Sequence, residues 1–193
     1  MKKSSQDMRQ HILDVARALM THKGYTAVGL NEVLSAAGVP KGSFYHYFRS
    51  KEEFGEALLE EYFAAYLETI DGLLAGRKSG AEQLLAYLDY WVDSQCSLLV
   101  NDKCLVVKLG AEVCDLSDPM RLALKGGTQK VLERLLACVE RGQADGSIAS
   151  SQAPRVLAET LYQMWLGASL MAKVQKDPRP FRTAMEMSKH LLG

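Results

Sequence analysis

The sequence predicts an all-α protein with a small three-helix head and a larger helical body. Three observations carry that reading. Apolar residues recur at helical spacing through most of the chain, no segment alternates apolar and polar side chains as a half-buried strand would, and glycines and prolines fall where helices stop and start. Apolar residues make up 48% and charged residues 24% of the 193 residues, the balance of a globular protein, which excludes disorder and a fibrous repeat. No apolar run approaches the roughly eighteen residues of a membrane span, so no membrane partner is expected.

Each helix has its own signals. In the first, from Ser4 to Lys23, Ile12, Leu13, Ala16, Leu19 and Met20 share one face, Ser4 and Asp7 stand where a cap belongs, and Gly24 stops it. A second short helix, about 31–37, buries Val33, Leu34 and Ala37; Gly38 ends it and Val39-Pro40 turns the chain. A third runs from Lys41 to Phe48. Ser50 and Glu53 form a capping box for a long fourth helix carrying Phe54, Ala57, Leu58, Ala65 and the Tyr62–Tyr66 pair. Residues 75–80 read as a loop, and helices follow near 81–99, 103–114, 119–141, 152–175 and 178–192. Asp118-Pro119 and Asp177-Pro178 place an N-cap before a proline, and Gly126-Gly127 is expected to kink or split the 119–141 helix.

Net charge is zero, but unevenly spread. Residues 1–50 hold seven basic side chains (Lys2, Lys3, Arg9, Arg17, Lys23, Lys41, Arg49) against three acidic ones (Asp7, Asp14, Glu32), and three of the four histidines. A basic head of +4 on a body of −4 suits a polyanionic partner. The polar first ten residues contain no apolar h-region, so secretion is not expected. Cys96, Cys104, Cys114 and Cys138 are too few for a disulfide framework and are read as reduced thiols of a cytoplasmic protein.

The two short helices joined by Gly38-Val39-Pro40 match a helix-turn-helix. In the second of them, Phe44 and Phe48 are one turn apart and point inward. Lys41, Ser43, Tyr45, His46 and Tyr47 are then the groups offered outward, and Gly42 allows close approach to DNA. Lys41 has the reach for a guanine edge, Ser43 and His46 for bases or phosphates, and the tyrosine hydroxyls for phosphates. Lys51 adds a cation at the next helix N-terminus, itself a phosphate-binding position.

Gly29-Leu30-Asn31-Glu32-Val33-Leu34, then Ala37 to Phe48, then Ser50-Lys51-Glu52-Glu53 resemble the DNA-binding signature of the TetR/AcrR repressors over about residues 8–60. The resemblance implies a helix-turn-helix domain at 1–50, a helical regulatory and dimerisation domain at 51–193, and a homodimer on double-stranded palindromic operator DNA. It carries DNA contacts to Lys41, Gly42, Ser43, Tyr45, His46, Tyr47 and Lys51. No threonine stands at Val28-Gly29-Leu30, where the family has one, so no contact is carried there. The family dimer is built from the last two long helices; Tyr162, Trp165, Leu166, Ala168 and Ser169 suit either that interface or the subunit's own core.

In residues 101–117, Asn101 or Asp102 is the natural N-cap of a helix, which places Cys104 at N3 or N2. Free backbone N–H groups there, with Lys103 adjacent and Lys108 one turn on, favour a lowered thiol pKa. A Lys108–Glu112 pair would weaken that help, and an inert packed cysteine is the alternative. This segment, with 165–173, is similar to the N-ethylmaleimide-responsive (NemR-type) subgroup, which senses quinones, aldehydes and hypochlorous-type oxidants. That resemblance implies a sensor at Cys104, an associated lysine at Lys173, and further redox positions at Cys96 and Cys114. Cys138 lies in an amphipathic helix and reads as core. Ten helical residues separate Cys104 from Cys114, about 15 Å of rise, so the two cannot form a disulfide on one straight helix.

The expected function is therefore a DNA-binding repressor released by a small electrophile or oxidant through a cysteine. A repressor released by a non-covalent apolar ligand, with Met164, Trp165 and Met171 lining its pocket, is the second reading. A thiol-dependent enzyme is the third. With no His–carboxylate pair near Cys104 in sequence, no Cys-x-x-Cys, no phosphate loop and no metal-ligand cluster, neither an enzyme nor a cofactor or metal is expected.

Overall fold

The structure is a computed structural model that describes residues 5–97 and 104–193. The regular elements among them are all helices: α1 (Ser5–Lys23), α2 (Leu30–Ala37), α3 (Lys41–Tyr47), α4 (Lys51–Leu74), α5 (Gly80–Cys96), α6 (Leu105–Leu116), α7 (Asp118–Asp145), α8 (Pro154–Gln175) and α9 (Arg179–Leu192). No described helix is long and apolar enough to cross a membrane. Two compact units result. The first contains α1–α3, α4 to Ala64, α6, and α7 to Gly127; the second contains α4 from Ala65, α5, α7 from Thr128, α8 and α9.

In the first unit, Ile12, Leu13, Ala16 and Met20 of α1 are buried, and Leu19 is only half so. The α2 face of Val33, Leu34 and Ala37 packs against α1. Gly38 takes the left-handed conformation (φ 66°), its N–H returning to the Ser35 carbonyl and that of Val39 to Leu34 at 2.9 Å, a Schellman closure that aims the chain into α3. Ser50 Oγ accepts the Glu53 N–H at 3.1 Å, while the Glu53 carboxylate reaches back to the N–H of Arg49, one residue before the position a capping box would use.

In the second unit the indole N–H of Trp91 donates to Ser169 Oγ (2.8 Å) and that of Trp165 to Ser188 Oγ (2.9 Å), binding α5, α8 and α9 through satisfied polar groups in an apolar core. Tyr162, Trp165 and Ser169 are thus this subunit's own core. An unanticipated capping box, Ser79 with Glu82, starts α5.

Three expectations are corrected. First, α7 runs unbroken through Gly126-Gly127. The helix is not split there; a Cβ on Gly127 would lie 2.1 Å from the Phe63 ring, so that glycine serves close helix packing. Second, Ser117, not Asp118, precedes α7. Third, Pro178, not Asp177, directly precedes α9, although Asp177 still accepts the Arg179 N–H at 2.7 Å. The Ser4, Asn101 and Asp102 caps and Lys103 lie outside the described residues.

Candidate functional site

The head is held by aromatic packing. Phe44, Phe48 and Phe54 form a triangle with ring centroids 5.0–5.4 Å apart, and the Arg9 guanidinium lies 5.1 Å over Phe48. The His11 Nε2 lies 3.1 Å from the Ala37 carbonyl and ties α1 to the end of α2. With both phenylalanines inward, α3 presents Lys41, Gly42, Tyr45 and His46 to solvent; Ser43 and Tyr47 are half-buried beside them. The Lys51 ammonium sits 4.8 Å over the ring of Tyr25, whose hydroxyl donates to the Lys51 carbonyl at 2.9 Å. The exposed α3 groups Lys41, Gly42, Tyr45 and His46 thus stand on a packed aromatic base.

The thiol site lies in the same unit. Cys104 is the N-cap of α6, two to three positions earlier than expected, and its side chain is buried. Burial pushes the thiol above its ordinary range. The N–H groups of Val107 and Val106 and the Tyr62 hydroxyl act in the opposite direction without cancelling it. The Cys104 side chain makes no capping hydrogen bond to the start of α6. The expected lowering is reversed because loss of solvation outweighs the helix N-terminus.

Lys108 and Glu112 do not pair with each other. Lys108 Nζ donates to the His22 carbonyl at the end of α1 (3.0 Å), and the Glu112 carboxylate accepts the N–H groups of Tyr25 (3.0 Å) and Thr26 (2.5 Å). Gly24 (φ 98°) turns those N–H groups out, and a Cβ there would come within 3.2 Å of the carboxylate. Two side chains one turn apart on α6 thus fasten it to the turn that leads into the helix-turn-helix. Neither this clamp nor the presence of Tyr62 at the thiol is legible in the sequence. The i, i+4 spacing of Lys108 and Glu112 was visible, but it pointed to a local pair.

Cys114 is exposed on α6, Cys96 is exposed at the end of α5, and Lys173 stands in the last turn of α8, in the second unit. Cys138 is buried, as expected, with its thiol raised to about 11 by burial. Met164 and Met171 line an open groove on α8 and α9 that also includes Met187, whereas Trp165 is wholly buried and is not part of it.

Residues 12–58 match the family model of the bacterial regulatory proteins of the tetR family, and residues 80–188 match the tetracyclin repressor-like C-terminal domain. The chain belongs to the TetR family. It is 40% identical, over its whole length and 97% of the relative, to the HTH-type transcriptional repressor NemR of Escherichia coli strain K12. It is 36% identical to the transcriptional regulator AcuR of Cereibacter sphaeroides, over 85% of this chain and 75% of that one. The crystal structure of reduced E. coli NemR superposes with a TM-score of 0.91 at 40% identity, covering 97% of each chain. In this TetR-family chain the N-terminal match begins within α1, takes in α2 and α3, and ends within α4.

Proposed function

We propose that this TetR-family protein is a transcriptional repressor that binds a palindromic operator as a homodimer and is released when an electrophile or oxidant reacts at Cys104. Lys41, Gly42, Ser43, Tyr45, His46, Tyr47 and Lys51 are its DNA contacts. The groove on α8 and α9, beside the exposed Leu170 and Val174, supports pairing with a second copy rather than a ligand pocket.

The observation that carries the reading is the two-ended use of α6. One end is Cys104, whose side chain is buried; further along, Lys108 and Glu112 hold the turn before α2. A thiolate adding to a quinone or enal forms a C–S bond, the π pair moves toward the carbonyl oxygen, and that oxygen takes a proton. The bulk cannot stay in the packed site, so α6 moves and the clamp with it. With a hypochlorous-type oxidant, the thiolate sulfur takes the chlorine and hydroxide leaves, and water then displaces chloride, with loss of a proton, to give the sulfenic acid. A differential stability of about 3 kcal/mol would weaken DNA binding about a hundredfold, within the usual coupling range. Cys96 and Cys114, being exposed, react without that displacement.

The test is a quinone titration in which adducts at each cysteine are mapped by mass spectrometry while operator occupancy is followed. Loss of DNA should track Cys104 occupancy. Release that tracks Cys96 or Cys114, or precedes any Cys104 adduct, rejects the assignment.

A further inference from the structure

Tyr25 stands in the turn between α1 and α2, is 5% exposed, and is held by two other helices of the first unit. Its N–H donates to the Glu112 carboxylate of α6 at 3.0 Å, its hydroxyl donates to the Lys51 carbonyl at 2.9 Å, and its ring lies 4.8 Å beneath the Lys51 ammonium. Gly55, one turn beyond Lys51 on α4, makes that approach possible, since a Cβ there would come within 3.0 Å of the Tyr25 hydroxyl. Two other cations of the head face carboxylates, Arg9 with Glu61 at 3.9 Å and Lys23 with Glu32 at 2.5 Å. Among the described residues Lys51 instead meets a neutral ring and pairs with no carboxylate.

We propose that Tyr25 is the positioning residue for the DNA-backbone contact of Lys51: its ring holds the ammonium, its hydroxyl holds the first carbonyl of α4, and Glu112 holds Tyr25, so that α6 sets the cation that meets a phosphate. A lysine stem is flexible and loses that freedom when its ammonium binds an ion. A ring face that already restricts the ammonium reduces the loss on binding. The ring does this without cancelling the charge, as a carboxylate would, and a cation–π contact at a partly exposed site is weak enough for a phosphate to compete with it. A displacement of α6 that turns Tyr25 loosens Lys51 and lowers affinity for every duplex, while base preference stays with α3. This inference rests on Lys51 being a DNA contact of the proposed function.

The experiment uses the full-length reduced protein and a labelled duplex of random sequence, on which binding rests on phosphate contacts. Affinity is measured by fluorescence anisotropy across a salt series for the wild type, Tyr25→Leu, Tyr25→Phe, Glu112→Gln and Lys51→Gln. Each of the first three changes is also combined with Lys51→Gln. Lys51→Gln should reduce the slope of log affinity against log salt by about one. Tyr25→Leu should weaken binding about fivefold on its own and less than about twofold beside Lys51→Gln, because the cation it positions is then gone. Tyr25→Phe keeps the ring and should restore most of the affinity that Tyr25→Leu loses. A residue that only stabilised the head would weaken both backgrounds alike. A Tyr25→Leu loss of the same size with and without Lys51 therefore overturns the proposal, as does a folded Tyr25→Leu protein that binds within about twofold of wild type. Should Tyr25→Leu melt early, Glu112→Gln decides by the same comparison: its loss should shrink beside Lys51→Gln, and an undiminished or absent loss overturns the proposal. If Lys51→Gln itself binds like wild type with an unchanged slope, the Lys51 contact of the proposed function fails and the role of Tyr25 with it. If Lys51→Gln loses the slope but the losses simply add, the contact stands and the positioning role alone fails.

Discussion

The carboxylate of Glu112 accepts the backbone N–H of Tyr25 at 3.0 Å, and so a residue of α6 completes the hydrogen bonding of the turn that opens the DNA-binding head. The neighbouring N–H of Thr26 shares the same carboxylate. A charged acceptor on two successive amides is worth more than a neutral one, on the order of 1.5–3 kcal/mol per bond when shielded from water and less at this half-exposed position.

Replacing Glu112 by Gln keeps the size and removes the charge, with one acceptor oxygen left for two N–H groups. The reduced protein should lose about 1–2 kcal/mol of head stability and up to about tenfold in operator affinity, while the rate of Cys104 alkylation stays the same. Fluorescence anisotropy with labelled duplex measures the first, peptide mass spectrometry the second. Unchanged affinity would mean that the clamp is incidental.

Phe48 is 1% exposed and meets both Phe44 and Phe54. Phe48→Ala should cost roughly 3–5 kcal/mol and abolish DNA binding, because the head has few other large side chains. Full operator affinity with unaltered melting would show that the aromatic triangle is dispensable.

Lys41 and Lys51 separate base reading from phosphate binding. Lys51→Ala should weaken binding to operator and random duplex alike and reduce the slope of log affinity against log salt by about one. Lys41→Ala should relax preference for the operator. Titrations on both duplexes at several salt concentrations distinguish them; a Lys51 variant whose loss is confined to the operator contradicts its role. Lys51 also lies over the Tyr25 ring, so its variant should melt slightly earlier.

Tyr25 gives the head an alkaline limit. Burial first, then Glu52 and Glu112, push its phenol up to about 12. The proton is held more tightly in the folded state than in the unfolded chain, where the value is about 10. This contribution is whole below about pH 10 and is lost as pH rises from there towards about 12. Thermal unfolding followed against pH should show that loss, and Tyr25→Phe should flatten it. An identical alkaline profile in the two proteins would place the loss elsewhere.

The head was readable because its signals are local. Gly24, Gly38 and Pro40 punctuate short helices whose apolar faces hold few residues, and Phe44 and Phe48 at one-turn spacing fix which side of α3 faces outward. The thiol site was only half readable. Its helix and cysteine could be named, but the N-cap position of Cys104, its burial and its raised thiol depend on α4 supplying Tyr62 and on tertiary packing. Glu112 and Lys108 could satisfy each other on one helix, and only the fold brings the ends of α1 to them. Gly126-Gly127 failed as a breaker for the same reason: the Phe63 ring occupies the space that Gly127 leaves. On α8, apolar spacing could not separate core from surface, and the hydrogen bonds from Trp91 to Ser169 and from Trp165 to Ser188 decide it.

The most direct measurement is operator affinity of wild type and Cys104→Ser before and after treatment with a quinone or N-ethylmaleimide, with adducts mapped on the same samples. Both proteins should bind the operator equally when untreated. Treatment should weaken the wild type about a hundredfold and leave Cys104→Ser bound, although Cys96 and Cys114 carry adducts in both. Normal release of treated Cys104→Ser would contradict the cysteine switch and assign release to another thiol or to a ligand that binds without reacting.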